Sequence, residues 1–165
     1  SRGLGDVYKR QGHDGKQVTS QVLNIRRFDM PTEDVIEHLQ LEPGTPVVYI
    51  KRLFLFDDKP LAVGRSWLSL ARFPGLDETG LGEKGLTATL RSRYNTIIRR
   101  FNDAIEAVRP APDERNLLDV SYDCPLLMVR GLSFDQHNVP VEYSTTYWLG
   151  DKVRFTVSMN TQELE

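Results

Sequence analysis

The chain's 165 residues fit one domain of ordinary size, and 39% hydrophobic with 27% charged residues marks a globular rather than a disordered polypeptide. A formal net charge of −2 is not the basic footprint of a nucleic-acid binder. One cysteine, Cys124, excludes an intrachain disulfide framework, the three histidines show no metal-ligand spacing, and no apolar run reaches the ~18 residues of a membrane span.

Residues 1–11, SRGLGDVYKRQ, have neither helical nor strand period and are read as a non-native leader, which leaves 12–165 as the domain. No signal peptide is visible, so a reducing, cytoplasmic setting is expected. Val18 to Phe28 is predicted to be extended. Pro31 is expected to open a helix, with Glu33 and Asp34 at its positive end and Val35, Ile36 and Leu39 on its apolar face. LEPGTP stops that helix, with Gly44 as the left-handed residue. PVVYIKRLFLFDDKPLAVGRSWL then reads as strand, turn, strand, with DDK at the tip.

Leu86 to Tyr94 is predicted helical and Ile97 to Val108 extended. PDERNLLDVSYDC repeats the short acid-opened helix, and PLLMVRGLSFDQHNVPVEYSTTYWL repeats the hairpin, some 80 residues after the first copy. Val153 to Met159 is expected as a closing strand. The fold class is therefore α+β, with a largely antiparallel sheet, helices packed on it, and two helix–hairpin repeats.

A binding site is expected where the two units meet. Side chains alternate along a strand, so Val48, Ile50, Arg52, Phe54 and Phe56 share one face, with Arg52 the one charge among them. A guanidinium fork matches phosphate, phosphonate or carboxylate oxygens, although an edge arginine can also simply cover apolar surface with its stem. Ser66 lies on the second strand of its hairpin. Glu142, Ser144 and Thr146 form the matching polar row on the late strand, ahead of Trp148. A salt bridge to Lys59, Arg65 or Arg154 is the plainer reading of Glu142. Thr87 stands near a helix start, where the dipole attracts anions, and Gly82 and Gly85 just before it let backbone approach a ligand. Arg65 and Arg72 are expected to add positive potential.

The order EPGTPV, KRL, DDKPLAV and PVEYSTTYWLGDKVRF, from about Gly12 to Thr161, resembles the UTRA domain, the effector-binding half of HutC-type GntR transcription regulators. Arg72-Phe73-Pro74 and Thr87 resemble the sub-branch that regulates phosphonate use. Gly85 stands where that pattern has a serine, and Asn102 where it has a threonine. The resemblance implies a chorismate lyase-like fold, a small-molecule anionic effector, no cofactor, a homodimer, and DNA binding only through an N-terminal winged-helix domain outside this chain. It implies ligand contact for Arg52 and Glu142. Phe54, Gly64 and Trp148 replace an arginine, a glutamate and a tyrosine of the sugar-phosphate-sensing relatives. The ligand set is thus Arg52, Arg65, Ser66, Arg72, Thr87, Glu142 and Trp148, with no catalytic or metal residues.

Two other classes stay open at this point. A lyase-like enzyme would use Glu and Arg beside a cleft as its acid/base pair. A pure dimerisation module would use the alternating Val153, Phe155 and Val157.

Overall fold

The computed structural model describes residues 17–161. Six strands form one antiparallel sheet in the order β1-β2-β3-β6-β5-β4. They are β1 (Val18–Phe28), β2 (Val47–Phe56), β3 (Lys59–Ser69), β4 (Ile98–Val108), β5 (Leu126–Asp135) and β6 (Pro140–Leu149). Four helices intervene: α1 (Glu33–Leu39), α2 (Leu76–Thr79), α3 (Leu86–Tyr94) and α4 (Pro112–Leu118).

This is the expected α+β class, and the repeat is larger than the hairpin pattern showed. Each unit carries its own leading strand, giving β1-α1-β2-β3 followed by β4-α4-β5-β6. The units meet through the β3–β6 pairing, in which Arg65 faces Thr145 and Ser66 faces Ser144. The sheet order is therefore the same read from either edge inward.

On one face of the sheet, α1 places Val35 and Leu39 on Val47 and Tyr143, and α4 places Leu118 on Val63, Leu126 and Leu149. On the other face, the connection after β3 folds back as α2 and α3. There Phe73, Leu76, Leu86 and Leu90 pack on Val48, Ile50 and Leu68. A second apolar cluster on that face joins Phe54, Leu61, Ala62, Val129 and Trp148. Arg52 lies between the two clusters.

Some local details differ from the sequence-based expectations. Pro31 precedes the helix start rather than forming it. Thr32 is the N-cap, its Oγ1 accepting from the Val35 N–H at 3.4 Å. The same helix stops at Gln40, which is left-handed (φ 54°) and returns its N–H to Glu37 and Ile36. Gly44 (φ +83°) turns the chain into β2. Val153 to Met159 is not a strand, because the chain there pairs with no ladder. Val153 and Phe155 instead pack against the Phe54–Trp148 cluster, and Val157 is exposed. The leader expectation falls on residues 1–11, outside the described residues.

Candidate functional site

Ladder pairing explains how the polar side chains meet. Arg52 on β2 sits opposite Gly64 on β3, and Gly64 sits opposite Thr146 on β6. One pleat along, Ile50 faces Ser66 and Ser66 faces Ser144. Glu142 lies one pleat further on β6, across from Ser133. These residues share a face, so they form a polar seam between the two apolar clusters. Gly64 leaves room for the Phe54 ring: a Cβ at this position would come within 2.9 Å of it and push it aside.

The seam is buried. Arg52 is 3% exposed and Glu142 5%, with Ser66, Ser144 and Thr146 also out of solvent. Ser66 Oγ donates to Glu142 Oε2 at 2.5 Å, and Arg52 Nη2 lies 3.8 Å from the same oxygen. The partner of Glu142 is therefore Arg52 with Ser66, rather than Lys59, Arg65 or Arg154. The Arg52 guanidinium also lies over the Phe54 ring, 4.9 Å from its centroid. Burying a guanidinium and a carboxylate carries a desolvation cost that an apolar pair would avoid. Fold stability alone is a weak reason to keep them.

Arg52 and Phe54 form one wall of a cavity of about 330 Å³. The start of β1 (Gln17, Val18, Thr19, Ser20) and the turn Glu83, Lys84, Gly85 supply the rest. That turn leads directly into α3, whose N-cap is Gly85 with no side-chain cap. The first-turn N–H groups of a helix lack intrahelical partners and carry partial positive charge. Thr89 fixes the turn: its Oγ1 accepts from Gly82 N–H at 2.9 Å and donates to the Gly85 carbonyl at 2.7 Å. Thr87 stands half-buried in the first turn of α3, two residues beyond Gly85. A guanidinium, a lysine and a helix N-terminus thus surround one space, with the Glu83 carboxylate also on its wall; the positive groups outnumber that one acid, which suits an anion.

Trp148 is buried on the same face, stacked on Phe54 at 5.9 Å between ring centroids and edge-on to Phe155. Its Nε1–H has no acceptor among the described residues. It backs the cavity wall through Phe54 and does not line the space itself.

Arg65 and Arg72 are not brought to this group. Arg65 points to the opposite face, because it is one residue from Ser66 on a pleated strand. There it donates to Glu114 Oε1 at 2.6 Å and Asp113 Oδ2 at 2.5 Å. Burial alone would lower its pKa; the Glu114 pairing outweighs this and raises it. Arg72 joins the connection after β3 to the β5–β6 turn, donating to the Asp135 carboxylate and to the Pro140 carbonyl. Burial works to raise the Asp135 pKa, but N–H donation from Val139 and His137 and the Arg72 guanidinium hold it below the usual carboxylate range.

The contributions of β1 and of Glu83 and Lys84 have no signal in the sequence pattern. Gly82 and Gly85 marked the turn, but nothing local to β1 indicates that it pairs with β2.

The UTRA domain family matches residues 13–154, and the chain belongs to that family. A relative from Mycolicibacterium smegmatis, the HTH-type transcriptional repressor PhnF, is 29% identical over 135 residues, which is 81% of this chain and 55% of the relative. The effector domain of PhnF superposes with a TM-score of 0.83 at 26% identity, covering 94% of this chain and 93% of that one. The ligand-binding domain of a GntR-family transcriptional regulator from Bordetella bronchiseptica gives 0.82 at 26% identity, covering 90% and 93%. The chain spans a little over half the length of the curated relatives it matches. These relatives are named as regulators of transcription, which agrees with a regulatory, non-enzymatic domain.

Proposed function

We propose that this effector-binding domain senses a small organic anion, phosphonate- or phosphate-like, and belongs to a cytoplasmic regulator that acts as a homodimer. The observation that carries the reading is Arg52. It is a 3%-exposed guanidinium on the wall of a 330 Å³ cavity that the turn into α3 also lines. The acidic group of the effector pairs with the Arg52 fork and with the first-turn N–H groups of α3, where Thr87 supplies a hydroxyl. Glu142, braced by Ser66, holds the guanidinium from behind and offers an acceptor to a ligand hydroxyl or ammonium.

The phosphonate branch is supported by Arg72-Phe73-Pro74 and Thr87, the motifs it shares with this chain. Operator DNA is contacted by an N-terminal winged-helix domain that is not in this sequence. Arg52 comes from the first unit and Glu142 from the second, so occupancy ties the units together. Binding shifts the domain only as far as its affinity differs between the two arrangements.

Thermal unfolding of the chain against phosphate, alkyl- and aminoalkylphosphonates, sugar phosphates and simple carboxylates tests this. At 100 times its dissociation constant a ligand adds about 2.7 kcal/mol. A phosphonate-selective rise in Tm, absent in Arg52→Ala relative to that variant's own baseline, is the expected result. A rise that persists in Arg52→Ala, or no rise with any anion, overturns the site.

A further inference from the structure

On the face of the sheet that carries the α2–α3 cap, the second unit is left uncovered. The repeat carries Ile25 of β1 onto Ile105 of β4: Ile25 pairs with Ile50, and Ile105 with Val129. Ile25 packs against the cap core. Ile105 is 42% exposed, and Phe101, on the same face of β4, is 39% exposed. In the first unit β3 leads into the cap, whereas in the second β6 leads into a tail, residues 150–161.

That tail has a strand's alternation in Val153, Phe155, Val157 and Met159, yet it joins no ladder. Val153 and Phe155 seat on the Phe54–Trp148 cluster, while Val157 and Met159 are 76% and 83% exposed. β4 is an edge strand, so one side of its backbone faces no strand among the described residues. Trp148 belongs to β6, and β5 stands between β6 and β4. A tail seated by Val153 and Phe155 therefore does not run along the β4 edge of its own copy. Tail and edge are nevertheless complementary. Set antiparallel with Arg154 opposite Glu106, the tail brings Phe155 beside Ile105, Val157 between Ile105 and Phe101, and Met159 opposite Phe101. Arg154 and Glu106 are both exposed, and neither makes an ion pair among the described residues. Asp103, across from Val157 in this register, turns its carboxylate over Gly131 of β5, away from the open edge.

We infer that the β4 edge is where a second copy of this chain docks, by pairing its tail with β4. Val157 and Met159 of one copy cover Ile105 and Phe101 of the other, and Arg154 meets Glu106. Each copy carries both a tail and an edge, so a two-fold axis makes the exchange reciprocal. The inference rests on the homodimer reading and gives it a surface.

Sedimentation equilibrium of the chain, joined to a mixed cysteine cross-link, tests this. Ile105 and Val157 are exposed, so replacing either leaves the fold intact, and unchanged circular dichroism verifies it. Ile105→Lys and Val157→Lys should each weaken dimerisation at least about tenfold. Arg154→Glu should weaken it less, and adding Glu106→Arg should restore it. In a Cys124→Ser background, Ile105→Cys chains mixed with Val157→Cys chains and oxidised glutathione should give a disulfide-linked pair that neither gives alone. A dimer indifferent to both lysine variants overturns this surface and leaves the homodimer reading standing. A chain that stays monomeric at every concentration overturns both. A single chain carrying both cysteines that cross-links internally, at a rate independent of concentration, would place the tail on its own β4 and also overturn the inference.

Discussion

Where the first unit carries Arg52, the second carries Gly131, and where the second carries Glu142, the first carries Ala62. The backbones of the two units repeat, down to the buried Leu39 and Leu118 that anchor α1 and α4. The seam therefore arises from what each unit lacks in the other's place. A side chain at Gly131 has no room, since a Cβ there would meet the Asn102 carbonyl oxygen at 2.6 Å and the Asp103 carboxylate closer still. The second difference is the α2–α3 cap, which follows the first hairpin and builds the cavity. A repeat can thus set the fold while unpaired substitutions set the chemistry.

The cap should give the largest effect when broken. Phe73 is fully buried against the cap core, whereas Phe101 on β4 is 39% exposed. Phe73→Ala should cost about 3–5 kcal/mol in denaturant unfolding, and Phe101→Ala under about 1 kcal/mol. Similar losses at both positions would mean the two units are equally covered.

The seam comes next. Arg52→Met or Glu142→Leu alone should cost about 3 kcal/mol, because each breaks the buried Arg52–Glu142 pair from one side. The double variant should recover most of that stability while binding no anion. Equilibrium unfolding of all four species checks this, and a double variant as unstable as the sum of the singles would show that shape matters more than charge there.

Asp135→Asn should cost about 2 kcal/mol at pH 7 by removing the charged partner of Arg72. The folded pKa of Asp135 is lowered, so its contribution is complete above the unfolded value near 4 and is lost as pH falls through the folded value. The stability gap between wild type and variant should therefore narrow below about pH 4. A gap constant from pH 7 to pH 3 would contradict the assignment.

Gly131→Ala should cost about 1–2 kcal/mol through the close Asn102 carbonyl, while Gly150→Ala gives a reference, with the Pro125 carbonyl oxygen at 2.7 Å. Amide exchange along β4 and β5 should rise in Gly131→Ala. Unchanged exchange and stability would show that the second unit could have carried a side chain at this position.

The antiparallel hairpins, and the alternation that puts Arg52 with Ile50 and Phe54 and puts Glu142 with Trp148 on one face of its own strand, follow from period-2 patterning, while α1, α3 and α4 follow from the residues that bound them, with acidic first turns in α1 and α4. That information is local, and it survives in a single sequence. What escaped is pairing between distant segments. Arg65 is expected to add positive potential at the pocket beside Ser66, yet neighbours on a strand face opposite ways, and its partners on α4 come from the other unit. Arg72 is expected to add positive potential to the pocket, but its partner Asp135 closes β5 in the other unit, a proximity that sequence distance does not reveal. The expected closing strand has the right alternation in Val153, Phe155 and Val157, but alternation does not specify a ladder partner. The β1 wall of the cavity was missed for the same reason.

The central claim is that Arg52 of one unit and Glu142 of the other act on one bound anion. A double-mutant cycle on affinity tests it most directly, with methylphosphonate and aminomethylphosphonate titrated calorimetrically into wild type, Arg52→Lys, Glu142→Gln and the double variant. The account predicts a coupling of at least about 1 kcal/mol between the two positions, larger for the amino-bearing probe. Single losses that simply add, or affinity indifferent to both changes, would contradict it.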